Sequence, residues 1–526
     1  MKALVLTFDR NAVMTEHMIA RYNTCWPDHP FTFCIPYQSE ARRAVNWGGS
    51  SRAWIHAPDA SIQGTMDALL ADLDPDEWVY WAIDDKYPEQ LDVKRLAQLV
   101  ARLPETQLDA ILPCRTRRML KPEMLGEAMK LGNEQLIVRK TWHQIWIHQF
   151  LRPRVLRHLF AGMPQEIPEA RAMDKFKFDI PMIHRLVVLE RNAARFGESL
   201  SAGEVLLNTL ESIRSIGQPQ PIHLPANTRK AVWMGSPLPL SIRSRLERLL
   251  QKLSVRLLRW RLGTRRFQVI NKHPAGWEIY AVMKAAKPHG DVHFFDIGCN
   301  DGLSTAAYAR WFPRATGVLF EAHPDIATIA RDGLKTVGLA DKFAVVSCAL
   351  GNANEVMPLH VSTAASTGRL TSKGTRPKAS KTDVVMDSSS LLPPSEHEVH
   401  YPCVKFEKTM DVPVRRADDL ISEQGRLPDF LHMDVQGAEL QVLEGFGERL
   451  AEVSAVWMEV SRAPLYPGAP GVQEVADWMQ AAGFNCWLHA VGKVDGNQLW
   501  VRRDLPHNAR QLKALRHHRL RSRTNK

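Results

Sequence analysis

The sequence of 526 residues predicts an α/β protein with more than one domain. Segments with strand-like and helix-like patterns alternate over the first 112 residues, and the alternation returns between 292 and 502. Pro219, Pro221 and Pro225 separate the two stretches. Such alternation is typical of a sheet covered by helices, and a chain of this length exceeds what one core usually holds.

Four segments are expected: an α/β domain at 1–225, a basic helical connector at 226–272, a second α/β domain at 273–503 and a basic tail at 504–526. In the first domain the patterns predict strands at 2–8, 31–36, 78–83 and 108–112, and helices at 12–24, 60–73 and 92–102. In the second domain they predict strands at 292–296, 316–321, 343–348, 429–434, 453–459, 484–488 and 497–502, and helices at 303–312, 325–337, 437–447 and 472–482. The stretch 360–400 has little periodicity and predicts a loop or lid between the third and fourth of these strands.

The net charge of +11 is concentrated in two segments. Residues 243–272 carry ten lysines and arginines against one acid, and residues 502–526 carry nine against one, so the rest of the chain is mildly acidic. Leucines recur at three- and four-residue spacing in the first segment, which predicts an amphipathic helix. The helix either packs on a domain, lies on an anionic membrane surface or contacts nucleic acid. Flotation with anionic liposomes at low and high salt tests the membrane hypothesis.

The seven cysteines are scattered and form no CxxC pair, which argues against a disulfide framework or structural zinc and favours a reducing compartment. The apolar start, Met1–Phe8, is too short for a signal peptide and no run is long enough to span a bilayer. We therefore expect a cytoplasmic protein that contacts the inner face of the membrane through its basic segments.

A glycine turn follows the strand predicted at 292–296. Gly298, Asn300 and Gly302 lead into a helix pattern, and Glu321 follows the next strand, 19 residues beyond Gly302. A turn of this kind presents backbone N–H groups to a ligand, and an acid at about that spacing can accept the ribose hydroxyls of an adenosine. A tight turn without a ligand remains an alternative. Since Asn300 replaces the middle glycine of the dinucleotide pattern, S-adenosylmethionine is favoured over NAD.

Four predicted strands end in acids: Asp296, Glu321, Asp434 and Glu459. The carboxyl ends of parallel strands meet at one edge of a sheet, and ligands bind beyond that edge. The four acids therefore predict a site.

Four sequence blocks in this region resemble the FkbM family of S-adenosylmethionine-dependent methyltransferases. The blocks are 295–302 (FDIGCNDG), 320–324 (FEAHP), 412–420 (VPVRRADDL) and 433–445 (MDVQGAELQVLEG). Family members often have Ala at the place of Cys299 and commonly have Lys before the acid at the place of Asp434, where this chain has His432. The resemblance implies a class I methyltransferase fold with a mostly parallel seven-stranded sheet, and O-methylation of a sugar or other glycan acceptor.

Site residues follow from the turn, the strand ends and the resemblance. The cofactor-binding candidates are Asp296, Gly298, Asn300, Gly302 and Glu321, where Asp296 fixes the turn and the methionine amino group. Methyl transfer to a hydroxyl requires help with deprotonation, and Asp434 and His432 are the candidates because strand alternation places them on one face. A packed core histidine and a helix-capping aspartate are the structural alternatives. Glu439 is a third candidate that orients the loop or the substrate.

In the first domain, the strand predicted at 78–83 ends in Asp84 and Asp85. The region resembles GT-A glycosyltransferases of bacterial surface-polysaccharide assembly, in which acids at that place hold Mn²⁺ or Mg²⁺ against a nucleotide-sugar donor. The usual Asp-x-Asp is absent here, and a capped turn is the alternative.

Together these observations predict a sugar O-methyltransferase fused to a glycosyltransferase in surface polysaccharide or lipopolysaccharide biosynthesis. One alternative makes the first domain a non-catalytic glycan-binding module, and another is a scaffold that binds no S-adenosylmethionine. A nucleic-acid methyltransferase is also possible in principle, but the sequence after the fourth strand, 434–437 (DVQG), lacks the Asn/Asp-Pro-Pro-aromatic motif of enzymes that methylate base amino groups.

Overall fold

The computed structural model describes residues 1–46, 49–164, 170–239, 273–365, 384–385, 388–401 and 404–505, with single helical positions at 249, 253, 256, 257, 260, 268 and 270. The chain divides into two compact units, Met1–Gln218 with Arg229–Ser244 and Pro219–Thr228 with Arg245–Lys526. Most of the basic connector and the tail after 505 lie outside the described residues, so the expectations for these segments stay predictions. Among the helices of the described part, none has the length and apolar character needed to cross a bilayer.

The elements before residue 240 alternate as expected. The strands are β1 (Lys2–Leu6), β2 (Thr32–Tyr37), β3 (Arg52–His56), β4 (Val79–Ile83), β5 (Lys86–Leu91), β6 (Ala110–Leu112), β7 (Leu125–Leu131), β8 (Glu134–Arg139), β9 (Gln149–Leu151), β10 (Leu186–Leu189), β11 (Ala194–Glu198), β12 (Leu200–Ser201), β13 (Glu204–Leu206), β14 (Ala226–Asn227) and β15 (Trp233–Met234). The α-helices are α1 (Ala12–Cys25), α2 (Glu40–Ala44), α3 (Ile62–Leu70), α4 (Val93–Arg102), α5 (Pro153–Ala161), α6 (Ala170–Phe176) and α7 (Leu207–Ser215).

A mixed nine-stranded sheet forms the centre of the first unit, in the order β3-β2-β1-β4-β9-β6-β10-β8-β7. The first four strands are parallel, and β9 runs antiparallel between β4 and β6. Both faces of the sheet are covered, because Ala3 and Val5 belong to one apolar cluster while Leu4 and Leu6 belong to another. A strand buried on both faces reads as a continuous apolar run, which is the pattern at the start of this chain.

The second unit contains the elements after residue 272. Its strands are β16 (His293–Ile297), β17 (Thr316–Phe320), β18 (Phe343–Val346), β19 (Ala349–Gly351), β20 (Glu355–Ala365), β21 (Val384–Val385), β22 (Lys405–Arg416), β23 (Phe430–Met433), β24 (Ala455–Ser461), β25 (Phe484–Val491) and β26 (Asp495–Arg502). Its α-helices are α8 (Gly276–Ala286), α9 (Leu303–Trp311), α10 (Pro324–Thr336), α11 (His397–His400), α12 (Ala417–Gln424), α13 (Glu439–Glu444) and α14 (Val472–Ala481).

A seven-stranded sheet forms the core of this unit, in the order β18-β17-β16-β23-β24-β26-β25. The five strands from β18 to β24 are mutually parallel, and β26 runs antiparallel to both of its neighbours. Phe295 and Leu431 pack into one apolar cluster, whereas Phe294 and Phe430 pack into the cluster on the opposite face. The predicted α/β class is therefore confirmed, and the four strands that carry the predicted acids at or near their carboxyl ends, β17, β16, β23 and β24, lie side by side. The strand predicted to end at Glu459 extends two residues further, to Ser461.

The prediction of a loop or lid over 360–400 is wrong in its described parts. Strand β20 extends to Ala365 and pairs antiparallel with β22, and residues 397–400 form helix α11. Leu359 and Val361 of β20 alternate into a small apolar cluster with Val412 and Val414 of β22. Pro358 and the polar residues of this stretch obscured the alternation of buried and exposed side chains that is typical of a strand. Residues 366–383 of the predicted lid lie outside the described residues.

Candidate active site

A cavity of about 310 Å³ opens at the carboxyl edge of the seven-stranded sheet. The residues that line it come from the carboxyl ends of β16, β17 and β23 with the segments that follow them, from Cys348, β19 and β20, and from the segment 389–391. They are Ile297, Gly298, Cys299, Asn300, Asp301, Leu303, Ser304, Phe320, Glu321, Ala322, Cys348, Ala349, Leu350, Leu359, Ser389, Leu391, His432, Asp434, Val435, Gln436 and Ala438. The structure thus brings the glycine turn, Glu321, His432 and Asp434 together at one cavity.

The turn between β16 and α9 depends on left-handed backbone conformations. Gly298 has φ +73°, Asn300 has φ +47° and Gly302, at the N-cap of α9, has φ +77°. Glycine reaches this region without strain, and Asn is among the few other residues that tolerate it. A Cβ atom at Gly298 would also overlap the carbonyl oxygen of Asp434, so the turn lies directly against the end of β23.

Glu321 anchors this turn from the neighbouring strand. Its two carboxylate oxygens accept the backbone N–H groups of Asn300, at 2.9 Å, and His323, at 3.0 Å. Burial raises the pKa of Glu321 to about 7, against the lowering effect of these two hydrogen bonds. Because a carboxylate has about four lone-pair sites, Glu321 retains capacity for two further donors from a ligand in the cavity.

Asp296 and His432 form a buried pair across neighbouring strands, where they face each other in the parallel register. His432 Nδ1 lies 2.7 Å from one oxygen of Asp296, and the hydroxyl of Thr305 donates to the other at 2.5 Å. Burial lowers the pKa of His432, but the charge and hydrogen bond of Asp296, with the charge of Asp434, outweigh it and raise the pKa above its usual value. His432 lines the cavity, whereas Asp296 lies behind it and ties β16 to β23 and α9.

Asp434 and Glu459 follow the paired residues Met433 and Met458, so they are neighbours on adjacent strands. Asp434 comes directly after β23, whereas Glu459 lies within β24, which extends to Ser461. The side-chain amide of Gln436 joins them, with Nε2 2.7 Å from an oxygen of each carboxyl group. Burial, then the charge of Asp434 and a hydrogen bond to it, raise the pKa of Glu459 well above its usual value.

Glu439 lies beside this group and has a local partner. Its carboxylate accepts the N–H of Gly437 at 3.1 Å, and burial raises its pKa to about 7. It is buried at the start of α13 and does not line the cavity. Its hydrogen bond is made to the turn after β23, and the catalytic or orienting role of Glu439 stays a prediction.

The sequence patterns did not identify several cavity residues. Ser389 and Leu391 come from the segment that was expected to be a lid, and Leu359 comes from the strand that was missed. The signal for Leu359 was the alternation in β20, but nothing in the local sequence points to Ser389 or Leu391. Gln436 was visible in the motif after β23, and its φ of +53° is a further mark of a constrained position.

In the first unit, the contacts of Asp84 and Asp85 do not fit a metal site. Asp84 is buried and accepts the hydroxyl of Thr7 at 2.6 Å, and burial raises its pKa to about 7. Asp85 is paired with the ammonium of Lys86 at 2.8 Å. Within the described ranges, no group of three or more His, Cys, Asp or Glu side chains is placed to hold a metal ion. Of the two acids that the resemblance assigned to Mn²⁺ or Mg²⁺, Asp85 is thus paired with Lys86, and burial favours the neutral form of Asp84.

The cavity at the carboxyl edge of a mostly parallel sheet, with a glycine turn and an acid on the next strand, is that of a nucleoside-binding α/β domain. Residues 296–486 match the model of the methyltransferase FkbM domain. The second unit therefore contains a methyltransferase domain, and the predicted family resemblance is confirmed for this part of the chain.

The chain is also similar to individual proteins. It is 28% identical over 209 residues to the 2-O-methyltransferase NoeI of Sinorhizobium fredii, and the matched region covers 40% of this chain and 79% of that protein. It resembles the methyltransferase FkbM of Methylobacillus flagellatus at 14% identity and TM-score 0.26, over 44% of this chain and half of that one. It resembles the galactosyltransferase LgtC at 13% identity and TM-score 0.22, over 35% of this chain and 67% of that one.

Substitution of Gly298 by Ala should displace the end of β23. The left-handed backbone alone costs about 1–2 kcal/mol for a residue with a Cβ, and the overlap with the Asp434 carbonyl adds to it. We expect a larger loss of unfolding free energy for Gly298→Ala than for Gly338→Ala, which has φ +70° and nothing within 4 Å of its Cβ position. Hydrogen exchange of peptides covering β23 measures the loss of stability in both variants. Equal losses in the two variants would contradict the close approach.

Proposed function

We propose that the second unit transfers the methyl group of S-adenosylmethionine to a hydroxyl of a sugar or glycan. The observation that carries this proposal is the single cavity shared by the glycine turn, Glu321 and Asp434. The similarity to a 2-O-methyltransferase over most of that protein's length supports a hydroxyl as the acceptor group.

The residues of the cavity fit the cofactor. Glu321 has lone pairs available for the ribose hydroxyls, and the turn at 298–302 allows close approach to its backbone. The carboxyl groups of Glu321 and Asp434 in the cavity wall complement a cationic sulfonium. When bound, S-adenosylmethionine supplies a methyl group that is already activated towards a nucleophile.

Asp434 is the side chain proposed to receive the acceptor proton. It lines the cavity at the end of β23, where it lies beside Gln436. His432 is less suited to this role, because Asp296 favours its protonated form. A protonated imidazole has no nitrogen lone pair left to accept a proton. The part of His432 is to hold Asp296 and the strand ends in register, while the walls of the cavity position the acceptor and exclude water.

The finer proposal joins this activity to a glycosyltransferase in the first unit, within surface polysaccharide or lipopolysaccharide biosynthesis. The parallel strands β3-β2-β1-β4, followed by the antiparallel β9, support a nucleotide-sugar-binding sheet. The contacts of Asp84 and Asp85 give no role to a metal ion, so donor binding is proposed without one. Contact with an anionic membrane stays a prediction.

S-adenosylmethionine should bind more tightly as the pH rises through about 7. The ionised form of Glu321 accepts the ribose hydroxyls better than the neutral form, and its pKa is about 7. Calorimetric titration between pH ~6 and ~8 measures this rise. Glu321→Gln should weaken binding by roughly 10–100-fold above pH ~7 and flatten the profile, since hydrogen bonds to charged groups contribute about 1.5–3 kcal/mol. The exposed Glu355→Gln is the matched control. A pH-independent affinity of the native protein would contradict the role of Glu321.

Asp434→Asn should lower kcat by about 10²–10⁴ with little change in S-adenosylmethionine affinity, because general-base help is lost while the adenosine site is intact. Release of S-adenosylhomocysteine measures turnover, with the methyl α-pyranosides of glucose, galactose, mannose and fucose as acceptors. Asp477→Asn, on the exposed face of α14, is the control. Turnover of Asp434→Asn at the native rate would remove Asp434 from the reaction, and no turnover of any glycoside by the native chain would argue against a sugar acceptor.

The first unit should release UDP from UDP-glucose or UDP-galactose in the presence of EDTA. Asp85→Asn, at a partly exposed position, should reduce this release at least tenfold and leave methyl transfer unchanged. Full activity of Asp85→Asn would exclude the acid pair from a donor site. Absence of turnover by the native chain would favour the glycan-binding module.

A further inference from the structure

We propose that Glu459 is a positioning residue that keeps one proton between itself and Asp434, and thereby orients the Asp434 carboxylate towards the acceptor hydroxyl. The inference rests on the proposed function, since it assigns a partner to the proposed proton acceptor. Three observations carry it, and each concerns well-defined contacts at the ends of β23 and β24.

The first observation is the geometry of the two acids. The parallel register places Asp434 and Glu459 directly after paired residues on adjacent strands, so their carboxyl groups are neighbours. The single side-chain nitrogen of Gln436 donates to both, at 2.7 Å in each case. Two like charges held this close by a shared donor cannot both ionise readily, and one proton is retained between them.

The second observation is that hydrogen bonds fix the direction of the Gln436 side chain, which is half-buried. Its side-chain oxygen accepts the hydroxyl of Tyr466 at 3.0 Å, which fixes the amide with its nitrogen towards the acids. Its backbone carbonyl accepts the hydroxyl of Ser390 at 2.7 Å, and its φ is +53°. A residue held in a sparsely populated conformation from both ends indicates a functional constraint on where the amide points.

The third observation is the charge around Glu459. The groups that act on it most strongly are Asp434, Asp495 and Glu439, all of them acids, and it lies behind Asp434 rather than in the wall of the cavity. Tyr466 and Tyr401 also face it. Burial and the neighbouring acids favour the protonated form of Glu459. We therefore assign the retained proton to Glu459, and Asp434, in the cavity wall, is left as the acceptor of the substrate proton.

This arrangement defines the proton balance of methyl transfer. The O–H bond of the acceptor breaks and its proton goes to Asp434. The oxygen electron pair forms the new O–C bond, and the C–S bond breaks with its pair remaining on sulfur. The pair then holds two protons and returns one to water. When Glu459 donates to one oxygen of Asp434 and Gln436 donates to the other, the carboxylate is held in one orientation, with its remaining lone pairs towards the acceptor hydroxyl.

Infrared difference spectroscopy tests the shared proton without an acceptor. At pH ~9 the three carboxyl groups described above with a pKa of about 7, Asp84, Glu321 and Glu439, are ionised. We expect a protonated-carboxyl band to persist there in the native protein, to vanish in Glu459→Gln, and to titrate at lower pH in Asp434→Asn, which lacks the charged partner. A native spectrum with no such band, or one unchanged by Glu459→Gln, would overturn the inference.

Turnover gives the second measurement, with the best methyl glycoside of the set above. Glu459→Ala should lower kcat at least tenfold. Glu459→Gln should restore most of kcat, because its amide can still donate to Asp434. The native kcat should decline at alkaline pH as Glu459 loses its proton, and Glu459→Gln should lack this decline. The exposed Glu474→Gln on α14 should behave as native. S-adenosylmethionine affinity in each variant reports on folding of the site. A native pH profile in Glu459→Gln overturns the inference while the proposed function stands, whereas absence of native turnover affects the proposed function alone.

Discussion

The close approach of the glycine turn to the end of β23 is the contact on which the rest of the site depends. The backbone N–H of Asp434 donates to the carbonyl of Ile297 at 3.0 Å, and the absence of a side chain at Gly298 leaves room for the carbonyl of Asp434. The turn proposed to hold the cofactor thus lies directly against the residue proposed to take the proton. Any side chain at position 298 would move these two parts relative to each other.

Charge is arranged around this contact in two layers. Asp296, paired with His432 and Thr305, lies behind the cavity, where it ties strands together at a buried position. Glu321 and Asp434 lie in the cavity wall. The inner pair compensates its own charge, which limits the cost of burial. The wall acids are hydrogen-bonded to uncharged groups, Glu321 to two backbone N–H groups and Asp434 to the side-chain amide of Gln436. The positive sulfonium of the proposed cofactor complements them.

The sequence predicted this sheet well because its strands carry strong local signals. The observed β16 and β17, His293–Ile297 and Thr316–Phe320, differ by one residue from the predicted 292–296 and 316–321. The hairpin of β20 and β22 was missed because each strand contains a proline and the pairing partner lies about fifty residues away. The acids at the strand ends were predicted from spacing, but their division into cavity wall and buried support was not. That division depends on cross-strand register, which places Asp296 opposite His432 and aims both inward.

The same register is the reason for proposing an acid, and not a histidine, as the proton acceptor. His432 has the more suitable pKa in isolation, near neutrality, but the neighbour across the sheet is a fully buried carboxylate, and separating that pair would leave a charge without compensation. Breaking a buried ion pair in this way costs about 3–5 kcal/mol, which offsets the roughly 3.5 kcal/mol that the difference between the ordinary pKa values of His and Asp would supply. Asp434 is instead hydrogen-bonded to the neutral amide of Gln436. Its contacts with Gln436 and Glu459 hold it in place and still allow it to accept a proton, so the burial that immobilises one candidate base leaves the other available.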